Sequence, residues 1–277
     1  MSARLRLQTP PATLEAWVNA FASAEIPVLT ETAESLEHMR ASEDDMDAHG
    51  LGEMIAADPL MTLKVLAHAS ELPRGRLMAD PETVTAALVL MGITPFFRAF
   101  GPQPTLEAVL ADHEDALLGL SRVMQRAERA SRYALGFAAH RADPDAAVIH
   151  SAALLHDFAE MLLWVHAPDL ALAIANLQDA DHALRSAAAQ RQVLGIELAD
   201  LEQALMKRWH LPDLLTRITN DKHASDPQVR CVHLAVRLAR HTARGWDDAG
   251  VPDDLHEIAE LLNLGAEHTL KLLHEFD

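Results

Sequence analysis

No stretch of this chain alternates apolar and polar residues with the period of two that a half-buried strand requires, whereas apolar spacings of three and four recur from end to end. The clearest instance is ADPLMTLKVLAHAS, in which Asp58 stands at the N-cap position and Pro59 at the first helical position. Leu60, Leu63, Leu66 and Ala67 then fall on one face of the helix so begun. Aromatic residues make up only 4% of the chain. Ala and Leu dominate instead, and both lose little side-chain freedom in a helix, whereas β-branched and aromatic residues favour strands. The expected fold class is all-α.

The same signals place the individual helices. One is expected from Thr13 to Ala24 and a second from Thr30, read as its cap; a third covers HGLGEMIAA. LPRGRLMADP reads as a loop, ETVTAALVLMG as a buried helix ended by Gly92, and Thr94–Pro95 as the start of a short one. Prolines and acids cluster in FGPQPTLEAVLADHED, where a lobe boundary is placed: residues 1–110 as an N-terminal helical lobe, residues 111–277 as a second helical lobe. A long helix is expected from Leu117 to Ala139, and ADPDAAVIHSAALLHDF repeats the Asp-Pro start. Further helices are expected over Asp169–Leu177, Ala183–Leu194, Leu198–Trp209, Pro212–Asn220 and Val229–Arg244, with two more near the C-terminus.

Charge and cysteine content remove several classes of function. A formal net charge of −18 repels nucleic-acid phosphates and anionic lipid surfaces, so neither nucleic acid nor membrane is an expected partner. The single cysteine, Cys231, excludes an intrachain disulfide and any CxxC site. MSARLRLQTPP lacks a secretory apolar core, and VTAALVLMGITPFF, interrupted by Gly92 and Pro95, is too short to span a bilayer, so the chain is expected to be cytoplasmic. No glycine-rich phosphate loop or GxSxG elbow is present, and no two of the 16 histidines lie three or four apart as a helical metal clamp needs. DMDAHG imitates the start of a calcium loop, but Ala56 stands where that loop needs a bidentate Glu. Arg122, Arg126 and Arg129 line one side of the long helix; the simplest reading is a solvated face paired with acids such as Glu128, and the other is a phosphate-binding face.

SAALLHDFAEMLL sets His156 and Asp157 inside an apolar helical run, where an ionisable pair needs hydrogen bonds, an ion partner or a metal. The segment resembles the His-Asp core of the HD phosphohydrolase superfamily. IPVLTETAESLEHM, LGEMIAADPLMTLKVLAHAS, PETVTAALVLMGITPFFRAF and MKRWHLPDLLTRI, in that order and spacing, resemble its HDOD branch over about residues 26–218. The resemblance implies a small N-terminal helical lobe packed on an HD-like helical lobe, and a bacterial signalling or regulatory module without an established common enzymatic activity.

It also allows an active HD site to be checked position by position. Such a site needs a His one helix earlier, the His-Asp pair and a later Asp, which together hold a divalent metal that activates water. Alignment to that pattern puts Gln125 in the place of the first His and Val236 near the place of the later Asp. Ala159 and Glu160 replace the Gly-Lys that follows the pair, and Asp221 and Lys222 stand where a His pair often follows the WxLP helix. His150 and His233 are the residues from which a rearranged site could draw. The expectation is therefore a vestigial pair, His156 and Asp157, held by hydrogen bonds, with no catalytic residue, metal or cofactor. Gln125, Arg126 and Arg129 are the candidates for facing a ligand in the old pocket. The implied function is regulation through a protein partner, with a basic face to suit the acidic surface, or through a small ligand. The alternative is a metal-dependent phosphohydrolase or phosphodiesterase.

Overall fold

The computed structural model describes residues 5–72, 80–181, 183–223 and 225–277. Among these, seventeen α-helices and three short 3-10 helices occur and no strand does; one isolated parallel bridge joins Val28 to Thr105. The chain is all-α. Most of the expected loop LPRGRLMADP, and His182 just before the expected Ala183–Leu194 helix, lie outside the described residues.

Contacts group the chain into two units, each made of two segments. One comprises Met1–Val123 with Asp157–Leu211, the other Met124–His156 with Pro212–Asp277. The lobes expected at 1–110 and 111–277 divide the chain once along its length, whereas this grouping is discontinuous.

In the first unit the Pro59–Glu71 helix forms where the Asp-Pro signal puts it. Asp58 Oδ1 accepts from the main-chain N–H groups of Leu60 and Met61 at 2.9 and 3.0 Å, satisfying two of the donors that every helix start leaves open. Its other oxygen accepts from Leu29 N at 2.9 Å, which ties this helix start to that of Thr30–Arg40, earlier in the chain. That contact corrects the expected start of the second helix. Thr30 is the first residue of Thr30–Arg40 rather than its cap, and Leu29 occupies the cap position without a side-chain bond. Glu107 accepts from both Thr30 N and Thr30 Oγ1, so distant carboxylates do the capping.

The Leu14–Ala22 helix, capped by Thr13, buries Trp17 and Phe21 and packs on Leu198–Arg208. Phe158 and Leu162 of Phe158–His166 are also fully buried. Each such side chain contributes roughly 1.5–3 kcal/mol on leaving water.

The Val84–Met91 helix ends at Gly92, whose φ of 81° is a region that a residue with a Cβ enters only at a cost. It is not the buried helix expected, for Val89 is 71% exposed.

In the second unit Pro227–His241 packs against both Ala146–Leu155 and Val251–Leu262, and Ala266–Phe276 follows. The 27-residue Glu114–His140 helix contributes its later part here, where Gly136 lies so close to the Phe276 ring that a Cβ would meet it at 2.2 Å. The Asp-Pro pair at 143–144 does not open the next helix as expected. Asp143 Oδ1 accepts from Asp145 N, and the helix begins at Ala146.

The stretch Ala146–His166 is long and apolar enough to cross a membrane by length and composition, yet 78% of its apolar window is buried inside the protein. It is also not one helix. A turn at His156–Asp157 separates Ala146–Leu155 from Phe158–His166, in place of the continuous helical run expected around the pair.

Candidate functional site

His156 closes the Ala146–Leu155 helix and is 9% exposed. Its Nε2 lies 3.2 Å from Oδ1 of Asp221, a residue 65 positions further along the chain. His233, on Pro227–His241, brings its Nδ1 to 3.2 Å from the same oxygen. One carboxylate oxygen therefore receives two imidazoles, one from each of two packed helices.

Local sequence explains how Asp221 reaches that place. The Asp213–Ile218 helix stops at Thr219, whose hydroxyl donates back to Leu215 O at 2.7 Å, a bond that competes with helix continuation. Asn220 Oδ1 then accepts from Lys222 N at 3.1 Å and turns the chain into the 3-10 segment Asp221–His223. Asp226 caps the following helix through Gln228 N at 2.9 Å, with Pro227 at its first position.

Electrostatically the cluster belongs to its carboxylate. Partial burial alone would raise the Asp221 carboxyl, but hydrogen bonds and charge from His156 and His233 outweigh it and hold the group well below the usual carboxylate range. Its side chain remains 42% exposed, so water moderates the interaction. His150, earlier on the same helix as His156, is held below the usual histidine range by burial.

The other sequence candidates lie as follows. Asp157 is 8% exposed and begins the Phe158–His166 helix, where its main-chain oxygen accepts from Glu160 N and Met161 N; its side chain does not cap that helix. The division between the two contact units falls at the peptide bond joining His156 to Asp157. Gln125 is exposed and Arg126 half-buried. Arg129 is engaged within the second unit: its guanidinium forms a two-pronged pair with the Asp277 carboxylate and donates to Thr242 O at 2.8 Å. It also lies over the Tyr133 and Trp246 rings at 5.7 and 5.9 Å. Val236, near the place of the later Asp in an active HD site, is 3% exposed.

Among the described residues no group of three or more His, Cys, Asp or Glu side chains is placed to hold an ion. Both imidazoles of the cluster are turned onto the carboxylate at hydrogen-bond distance. What the arrangement can do is hold the end of one helix, the 3-10 segment and a second helix together through one titratable group.

Sequence reasoning noted His233 as a residue near the missing Asp and took Asp221 for a lost histidine position. It missed that the two meet at His156. The available signal was an acid directly after the WHLP helix, one residue away from a cation-repelling lysine.

A family model described as HDOD domain matches residues 26–225. No curated protein sequence matches the chain. Among solved structures, the MmoQ response regulator from Methylococcus capsulatus is similar with a TM-score of 0.67 and 19% identity, over 91% of this chain and 99% of that one. A virulence factor from Campylobacter jejuni matches at TM-score 0.63 and 17% identity, over 94% of each chain. An HDOD domain protein from Geobacter sulfurreducens matches at 0.50 and 14%, over 95% of this chain and 93% of that one. At these identities the likeness is one of fold.

Proposed function

The chain belongs to the HDOD family, and from that premise we propose that it is a cytoplasmic, non-catalytic bacterial regulatory protein that acts by binding a protein partner. The lobe division near residue 110 is part of that reading. The observation that carries it is the commitment of His156 to Asp221, with apolar Val236 buried and Gln125 exposed at the positions where an active HD site places ligands. An active HD site completes its metal shell with a His from the preceding helix and a later Asp; here Gln125 and Val236 stand at or near those places. A protein of similar fold carries the name response regulator, which supports a signalling role. The net charge of −18 favours a partner with a basic face and a fast, salt-sensitive encounter. The engagement of Arg129 with Asp277 and Thr242 leaves it poorly suited to a phosphate ligand.

The test is turnover of a generic phosphodiester, bis-p-nitrophenyl phosphate, with Mn2+ supplied, by the parent and by His156→Ala. Neither protein is expected to exceed the metal-only blank. A metal-dependent activity in the parent that a folded His156→Ala protein loses would return the hydrolase to first place.

A further inference from the structure

In a chain with 23% charged residues, positions 83–97 carry no charge at all. The Val84–Met91 helix lies within this run, and only part of it is covered. Val84, Ala87 and Leu88 are buried, while Ala86 and Val89 are exposed and Leu90 and Met91 are partly so. Beyond the turn at Gly92 the exposure continues over Ile93 and Pro95. A scattered surface valine needs no explanation, but a helix with apolar residues on its solvent side as well as its core side is a feature of interaction surfaces.

The surroundings are mainly acidic, with Arg98 an exposed exception on the Ile93–Ala99 helix. Ala48–Ala56 packs on this helix so closely that a Cβ at Gly52 would lie 2.6 Å from Thr85 Oγ1. That helix presents Glu53 to solvent, and Asp47 at its cap is exposed. On the other side of Gly92, Thr94 Oγ1 donates to Glu43 Oε1 at 3.5 Å, which brings the acidic 3-10 turn Glu43–Asp45 against the same surface. Residues 43–56, which include both of these elements, carry five acids and no lysine or arginine. Nearby Arg40 is occupied by Glu37 and by the carbonyls of Phe97 and Phe100.

We propose that the Val84–Met91 helix and the Ile93–Pro95 turn form the docking surface for a basic amphipathic helix, whose apolar face covers Val89 and its neighbours while its lysines or arginines meet the acidic rim. This rests on the partner-binding reading above and specifies where the partner sits. A second copy of this chain would bring the same acids face to face, which like-charge repulsion disfavours. A helix laid on a groove in this way is read through anchors at i, i+3, i+4 and i+7.

The experiment uses the full chain and a fluorescent synthetic peptide of about 18 residues with Leu at those anchor spacings and Lys elsewhere. A scrambled peptide of the same composition controls for charge alone. Anisotropy titration is expected to show binding of the patterned peptide, weakened about tenfold by Val89→Asp and strongly by about 0.5 M NaCl. Leu118→Asp adds the same charge at another apolar surface residue, 52% exposed, and is expected to leave binding unchanged. Circular dichroism confirms that both variants are folded. No binding by the parent, equal binding of the scrambled peptide, or equal weakening by both variants would overturn the proposal. So would a concentration-dependent dimer abolished by Val89→Asp, which would assign the surface to a second copy. These failures leave the regulatory reading standing, because that reading falls only to the His156-dependent turnover described above.

Discussion

Two carboxylates lie against successive turns of the Pro227–His241 helix and are held in different ways. His233, Arg237 and His241 follow one another four residues apart. At the later end Asp254, 1% exposed, accepts from Arg237 Nε and from His241 Nδ1, each at 2.6 Å, and Arg237 also reaches Glu257 at 2.8 Å. At the earlier end Asp221, with its side chain 42% exposed, has two imidazoles and no arginine. A carboxylate removed from water needs hydrogen bonds or an opposite charge, and guanidinium supplies both with a charge that does not depend on pH. Burial works against the Arg237 charge, and its bonds to Glu257 and Asp254 more than restore it. A half-exposed carboxylate keeps part of its hydration and can be held by imidazoles alone. The Asp254 brace thus includes a guanidinium and the Asp221 brace does not, and the latter holds the histidine that an active HD site would use.

Variants that remove one partner at each end separate the two. Arg237→Ala strands a fully buried carboxylate with only His241 beside it and is expected to cost about 3 kcal/mol, read as a lowered urea midpoint. A loss as small as that of an exposed pair would erase the contrast between the braces. Asp221→Asn is expected to cost about 1 kcal/mol at neutral pH, discounted for its exposure.

Its pH dependence carries the sharper information. Because the folded carboxyl lies below its unfolded value of about 3.9, its contribution is fully present above that pH and is lost as pH falls through the depressed folded value. The difference between parent and Asp221→Asn should therefore shrink as pH falls below about 4 and vanish on strong acidification. A difference that stays constant down to the acid transition would show that Asp221 gains nothing from its histidines. The smallest effect belongs to His233→Gln, which keeps a donor within reach of Asp221 and should change stability at pH 8 by less than about 0.5 kcal/mol. A larger loss would make the earlier brace structural in the same sense as the later one.

What the sequence determined by itself was local. The Asp58–Pro59 start and Gly92 as a stop act within a few residues through backbone donors and φ preferences, and each stands where it was expected. The all-α class and the HDOD family followed from the same local patterns. Tertiary structure decided whatever needed two distant segments to meet. Thr30 looked like a cap because threonine often is one, but Glu107, 77 residues away, takes its hydroxyl. The ETVTAALVLMG segment looked like a buried helix because hydropathy does not record which neighbours arrive to cover a face. Asp221 looked like a lost ligand because only the packing of Ala146–Leu155 against Pro227–His241 brings His156 and His233 to one oxygen. A cap or a stop is stabilised by groups its own neighbours supply and can be read from them, whereas a hydrogen bond across 65 residues exists only once packing has met the entropy cost of closing the loop.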